Sequence, residues 1–282
     1  MKPRIIIHGG FFSESSDTEE VKQAKQKALK NIVTESYEYL QNHEAIEAVI
    51  YAVSLLEDCE LFNAGLGSQI QSDGKIRMSA SVMDGVTKKF SGVINIENVK
   101  NPIFVAEKLM QFEDSVLSGP EALSFARQHG FNYYNPETQL RKESYLQKLT
   151  DSVRKGTVGC VALDEDGRLA AATSTGGKGF ELPGRVSDSA TVAGNFGNEF
   201  AAVSCTGVGE DIVSAALAAK IVTRVTDGFS LKDACDKSMD ELKPYDGFAG
   251  VIAISAKGEV YFADSHPYMV WASYIDKAEV FS

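Results

Sequence analysis

The sequence lacks most of the signatures by which an enzyme or a membrane protein announces itself. No stretch approaches the roughly 20 apolar residues that span a bilayer, and Ile5-Ile6-Ile7 is too short for the core of a secretion signal. The four cysteines, Cys59, Cys160, Cys205 and Cys235, stand far apart with no C-x-x-C pair. That excludes a disulfide framework and a thiolate zinc site, and fits buried thiols in a reducing cytoplasm. His8, His43, His129 and His266 are scattered, with no ligand-type neighbours. No G-x-G-x-x-G opens a helix, and there is no Walker loop, no G-x-S-x-G and no H-E-x-x-H. Basic charge is scarce too: 28 Lys and Arg against 39 Asp and Glu leave a net charge of −11. Such a surface disfavours nucleic acid and anionic membrane as partners.

What remains is an ordinary globular mix, 44% hydrophobic over 282 residues, enough for one large domain. Arg4 to His8 reads as a short buried strand ending at Gly9-Gly10. Helical spacing runs from Glu19 to about Asn42 and again from Ala45 to Leu56. Leu61 to Gly85 reads as two short strands around a Ser72-Asp73-Gly74 turn, followed by a strand from Val93 to Ile96. Pro102 and Pro120 sit where helices favour proline. Residues 132–155 are polar, without a clean period, and read as an exposed excursion containing some helix. Thr157 to Leu163, the turn Asp164 to Gly167, and Leu169 to Ser174 form a hairpin. A strand Ala201 to Cys205, helices Asp211 to Thr226 and Leu231 to Leu242, and strands near Gly250–Ser255, Glu259–Ala263 and Met269–Tyr274 complete the chain. Helices come in pairs and strands in runs, which argues for two mostly antiparallel sheets with helices on both outer faces.

One constellation could carry chemistry. Thr157 begins a strand directly after Gly156, with polar loops beyond it. A threonine hydroxyl is a poor nucleophile without an adjacent base. Scission of the Gly156–Thr157 bond would supply one, because the freed α-amine has a pKa near ~7.7–8.0 and belongs to the same residue. Gly156, lacking a side chain, tolerates the strained backbone such an attack needs. The polar run before it would become a free tail. By itself a Gly-Thr pair at a strand start is a weak signal.

The surrounding residues make it specific. KGTVGCVALDEDGRLAAATSTGG, LPGRVSDS and AVSCTGVGED, with IIIHGG, LEDCELFNAGLGS and MSASVMDG earlier, resemble the plant-type L-asparaginase and isoaspartyl aminopeptidase family. These are N-terminal-nucleophile hydrolases of the threonine type, and the resemblance covers nearly the whole chain in order. It implies a single domain with a four-layer αββα sandwich, cut between Gly156 and Thr157 into 1–156, with a tail from about 132, and 157–282. By the same resemblance, Thr157 is nucleophile and, through its amine, base. Thr175 hydrogen-bonds the nucleophile, and Asn63 helps position it. Thr206 and the Gly207 amide form the oxyanion hole. Arg185 grips the substrate α-carboxylate, while Asp188 and the Gly209 carbonyl hold its α-ammonium. Backbone carbonyls of Leu56, Glu57, Cys59, Phe62, Ala64 and Leu66 would surround a structural sodium ion, with no cofactor for catalysis. The implied substrates are L-asparagine and β-aspartyl dipeptides, and the implied assembly is a dimer of cleaved units. Phe11-Phe12, Ser79, Ser187 and Ala190 depart from the family's usual residues around the pocket. Two other functions stay open at this point: a glycosylasparaginase-like hydrolase, and a relative that binds amino acids without cutting itself.

Overall fold

The computed structural model describes residues 1–11, 18–148, 156–245, 248–266 and 269–281. Phe12, one of the departures, and residues 149–155 at the end of the expected tail lie outside them. In chain order the elements are β1 (Arg4–Phe11), α1 (Glu19–Leu40), α2 (Ala45–Glu57), β2 (Met78–Asp84), β3 (Lys89–Ile96), α3 (Pro102–Leu109), β4 (Val116–Ser118), α4 (Gly119–Gln128) and α5 (Gln139–Lys148). After the Gly156–Thr157 bond come β5 (Val158–Leu163), β6 (Leu169–Thr175), β7 (Asn195–Gly197), β8 (Ala201–Gly207), α6 (Gly209–Ala215), α7 (Leu217–Thr226), α8 (Leu231–Asp240), β9 (Ala249–Ser255), β10 (Val260–Asp264), β11 (Met269–Tyr274) and β12 (Ala278–Val280).

Two sheets form, as the grouping of strands predicts. The larger runs β12-β11-β1-β5-β6-β2-β3-β4 and the smaller β10-β9-β8-β7. All described pairings are antiparallel except β3 with β4. The larger sheet interleaves the two halves of the chain: β1 lies between β11 and β5, and β6 lies beside β2.

Period-two alternation sorts the side chains. Ile5 and Ile7 join Val158, Cys160, Ala170 and Ala172 in a core shared with α1, α2 and α3. Ile6 turns the other way, to Val161, Leu163, Leu169 and Ala171, where it meets Ala202, Ile252 and Ile254 of the smaller sheet. Ala201, Val203 and Cys205 point away from that meeting, into a third core with α7 and α8. Both sheets are therefore apolar on both faces, which is why their strands read as continuous hydrophobic runs.

Two expectations are corrected. Leu61 to Gly85 holds one strand, β2, and not two. Its first part is held by single bonds to a distant loop, Phe180 N to Ile70 O and Ser72 N to Glu181 O, in place of a ladder. The helix expected over Asp211–Thr226 breaks at Ala216, which adopts φ 49°. The amides of Ala218 and Ala219 bond the carbonyls of Ala193 and Val192, so tertiary contacts override a strong local helix preference. Among the described residues no helix is long and apolar enough to cross a membrane.

Candidate active site

The site grows out of the face on which the two sheets meet. Counting in twos from Val161 and Leu163 brings Gly159 and Thr157 to that face. The same count from Ala171 brings Thr173 and Thr175, and from Ala202 it brings Ser204 and Thr206. On β1 it brings His8, just before an irregularity between His8 and Phe11 where Gly9-Gly10 shifts the register against β11. A Cβ added to Gly10 would stand 2.9 Å from the Gly156 Cα and 3.1 Å from the Thr157 N, so the backbone passes directly over the candidate scissile bond.

Around that bond the predicted residues do come together. Thr157 Oγ1 donates to Thr175 Oγ1 at 3.1 Å. Thr175 Oγ1 donates to the Gly156 carbonyl at 3.2 Å and accepts the Gly177 amide at 3.1 Å, which uses its full capacity. Asn63 Nδ2 donates to the same Gly156 carbonyl at 2.6 Å and to the Gly177 carbonyl, while its Oδ1 accepts the Gln69 amide at 3.0 Å. One carbonyl oxygen thus receives two side-chain donors, and the following residue's hydroxyl bonds one of them. All of this is shielded: Thr157, Thr175 and Asn63 are buried.

A residue that sequence reasoning set aside belongs here too. His8 is fully buried, its Nδ1 3.0 Å from the Thr157 carbonyl and its Nε2 3.0 Å from Ser204 Oγ. Burial pushes its pKa down to about 3, against a smaller upward pull from the Thr157 carbonyl. The neutral ring then has one tautomer that satisfies both partners: Nδ1–H donates to Thr157 and Nε2 accepts from Ser204. Ser204 Oγ in turn accepts a hydrogen bond from the Thr173 hydroxyl at 2.7 Å. A polar side chain on the inner face of an otherwise apolar strand, Ile5-Ile6-Ile7-His8, was the available signal.

The second group of predicted residues gathers at the turn Asp188–Ala190 and the start of α6. Arg185 meets Glu210 in a paired contact, Nε to Oε1 and Nη2 to Oε2, both 2.8 Å, and Lys178 Nζ lies 3.1 Å from Oε1. Those hydrogen bonds, the Arg185 one foremost, draw the Glu210 pKa down to about 2. Glu210 was not anticipated from the sequence. It takes the side-on edge of the guanidinium and leaves Nη1, which makes no hydrogen bond among the described residues. Asp188 is buried with Oδ2 unpartnered, and burial raises its pKa to about 7 despite the opposing pull of Arg185. Gly209 lies against both; a Cβ there would come 2.8 Å from Asp188 Oδ1 and 2.9 Å from Arg185 Nη2. Thr206 and Gly207 end β8 just before Gly209, and the Thr206 hydroxyl is buried without a partner.

The loop after α2 fits a hard cation held by carbonyls. A Cβ on Gly65 would fall 2.3 Å from the Glu57 carbonyl oxygen, and one on Gly67 would fall 1.9 Å from that of Phe62. The two glycines thus let the loop pass close against carbonyl oxygens, the donor type that suits such an ion. The carbonyls of Leu56, Cys59 and Ala64 accept backbone amides as well, each keeping a second lone pair. The Glu57 side chain is also buried; its Oε1 accepts from Ser174 Oγ at 2.6 Å and the Ile103 amide at 3.1 Å, and burial raises its pKa to about 8.

The departures have local roles. Phe11 packs on Phe248, ring centroids 4.1 Å apart. Ser79, paired with Thr175 in register, accepts the Asn95 amide at 3.1 Å. Ser187 caps the Asp188 turn through the Ser189 amide at 3.3 Å, and Ala190 is buried within it.

Comparison with known proteins identifies the family. Residues 1–280 match the family model described as Asparaginase. The chain is 45% identical over 280 residues to an isoaspartyl peptidase/L-asparaginase of Nostoc sp., covering 92% of this chain and 88% of that one. It is 43% identical over 290 residues to a protein of the same description from Synechocystis sp., covering 96% and 88%. It is 39% identical over 300 residues to the isoaspartyl peptidase of Escherichia coli, covering 96% and 92%.

Proposed function

Since this chain belongs to the asparaginase family, we propose that it is a hydrolase of L-asparagine and β-aspartyl dipeptides that activates itself by cutting the Gly156–Thr157 bond. The four-layer αββα sandwich belongs to this reading, supported by the three successive cores. So does a cytoplasmic setting, consistent with four free thiols. The observation that carries the proposal is the double donation to the Gly156 carbonyl, with the Thr157 hydroxyl bonded to one of the two donors.

In the first stage Thr157 Oγ1 attacks the Gly156 carbonyl carbon. The negative charge that develops on the carbonyl oxygen is met by Asn63 Nδ2 and Thr175 Oγ1, donors already in place. The C–N bond breaks, the nitrogen leaves with a proton, and water hydrolyses the resulting ester. The freed amine then serves as base for the same hydroxyl.

In the second stage Thr157 Oγ1 attacks the substrate β-carbonyl and expels ammonia or an amino acid. Thr206 Oγ1, buried without a partner, and the Gly207 amide receive that oxyanion. Arg185 takes the α-carboxylate through its open edge. Asp188 and the Gly209 carbonyl take the α-ammonium, which restores the Asp188 charge that burial suppresses. Water releases aspartate. The carbonyls of Leu56, Glu57, Cys59, Phe62, Ala64 and Leu66 would hold a sodium ion, whose contribution is to stiffen the loop carrying Asn63.

Two cleaved units would pair. Leu182 and Val186, 79% and 50% exposed around Arg185, are apolar surface for such a contact. Light scattering should give a dimer of the 30.5 kDa chain; a single-chain mass removes this part. The main test is N-terminal sequencing of incubated protein, then ammonia release from asparagine against hydrolysis of β-aspartyl-leucine. A second terminus starting at Thr157 and turnover of both substrates are expected. A chain that stays whole yet binds aspartate would establish the non-processing alternative.

A further inference from the structure

The segment that a cut at 156/157 would turn into a chain end is not a loose tail here. Thr138 caps α5, its Oγ1 accepting the Arg141 amide at 3.2 Å. Arg141, Ser144 and Tyr145, spaced to share one helical face, turn to the body of the protein, while Lys142, Glu143 and Leu146 are exposed.

Arg141 is 7% exposed. Its Nε donates to the Gly67 carbonyl at 2.6 Å, and a second nitrogen, Nη2, reaches the Phe62 carbonyl at 3.5 Å. These carbonyls bracket Asn63 and belong to the loop whose oxygens turn inward over Gly65 and Gly67. A guanidinium withdrawn from water on such oxygens exchanges its hydration for fixed, charge-assisted hydrogen bonds. One helical turn on, Tyr145 Oη donates to the Ser72 carbonyl at 3.2 Å, and its ring lies 5.7 Å from that of Phe180. Phe180 stands in the loop between Thr175 and Arg185. The helix therefore bridges two loops, one carrying Asn63 and the other joining the nucleophile's partner to the carboxylate-binding arginine. None of these contacts involves the Gly156–Thr157 bond.

We propose that α5 stays docked after the chain is cut, and that Arg141 is a positioning residue holding the Phe62–Gly67 loop so that Asn63 keeps its place beside Thr157. The second half rests on the reading of Asn63 given above; the first half does not. Hydrogen–deuterium exchange on wild-type protein before and after cleavage tests the docking. Peptides covering 139–148 should keep their protection, and exchange at the rate of an unstructured segment after cleavage overturns it. For the positioning role, Arg141→Ala should slow self-cleavage and lower kcat of the cleaved enzyme by roughly tenfold with KM within about twofold, the loss of one charge-assisted bond. Added guanidinium ion should restore part of kcat. Arg141→Lys, which keeps the charge without the planar fork and spares folding, should fall between. Wild-type rates in Arg141→Ala and Arg141→Lys, with Asn63→Ala slow, overturn the positioning role alone. Wild-type rates in Asn63→Ala as well overturn the reading of Asn63 with it.

Discussion

The two sides of Thr157 differ in how finished they are. On the Asn63 side the two groups that meet the Gly156 carbonyl are fully engaged: both amide hydrogens of Asn63 are used, and Thr175 Oγ1 gives one bond and accepts two. On the Asp188 side, Thr206 Oγ1 and Asp188 Oδ2 are buried with no partner, at a cost of about 1–3 kcal/mol for each such group. The closed side surrounds a peptide bond that is already part of the chain. The open side has the donors and acceptors that an incoming amino acid would complete. In the proposed reading, two acyl groups, one internal and one external, would have separate oxyanion donors around a single hydroxyl.

Substitutions can break this division. Thr157→Ala has the largest expected effect, since the hydroxyl serves both sides: intact-mass analysis should find one uncut chain with no ammonia release, whereas Thr157→Ser should cut slowly. Removing a donor from one side alone comes next. Asn63→Ala should slow self-cleavage about 100- to 1,000-fold, the usual loss for one oxyanion donor, while Thr206→Val should cut normally and lose a similar factor in turnover. If Thr206→Val fails to cut, the two sides are not separate. Arg185→Lys sharpens the open side further. Losing the planar fork should cost about 10- to 150-fold in kcat/KM on asparagine and β-aspartyl dipeptides alike, with self-cleavage unaffected; wild-type efficiency on both substrates would make Arg185 a surface charge.

The smallest effect belongs to the closed side and is a matter of stability. The folded pKa of His8 is depressed from 6.5 to about 3, so the unfolded chain binds the extra proton between those values. The His8 contribution is whole above pH 6.5 and is lost as pH falls toward 3, at up to about 1.4 kcal/mol per pH unit. Urea unfolding of uncut Thr157→Ala protein should lose about 2 kcal/mol more between pH 7 and pH 5 than the same protein carrying His8→Gln. Equal losses would mean that His8 takes up its proton in the folded state as readily as in the unfolded chain.

The reach of the sequence follows the range of the forces. The hairpin from Thr157 to Thr175 is legible because its turn is local: Asp164 accepts the amides of Asp166 and Arg168 within four residues. Thr175, Arg185 and Asp188 enter through the family resemblance, whose motifs mark their places in the sequence. His8 was not legible, because its partners lie 149 and 196 positions away. Glu210 and Arg141 were invisible for a related reason, since each is a charged residue in a charged stretch until the fold sets it on a particular partner. Ala216 is the opposite failure. Every local preference there favours helix, and carbonyls from 192 and 193 prevail.

The interleaving of the larger sheet has a consequence for the order of events in the life of the molecule. With β1 clasped between β11 and β5, residues 1–156 and 157–282 exchange strands across the sheet, so neither piece can finish its sheet alone. While the chain is whole, folding is a unimolecular search. Once it is cut, recovery from unfolding becomes an encounter between two chains, second order and dependent on their concentration. Heating the precursor and the cut protein over a dilution series should separate them: one midpoint holds, the other falls as the sample is thinned. With the proposed cut, maturation would work as a ratchet, in which the molecule has one opportunity to fold and keeps the result for as long as it stays folded.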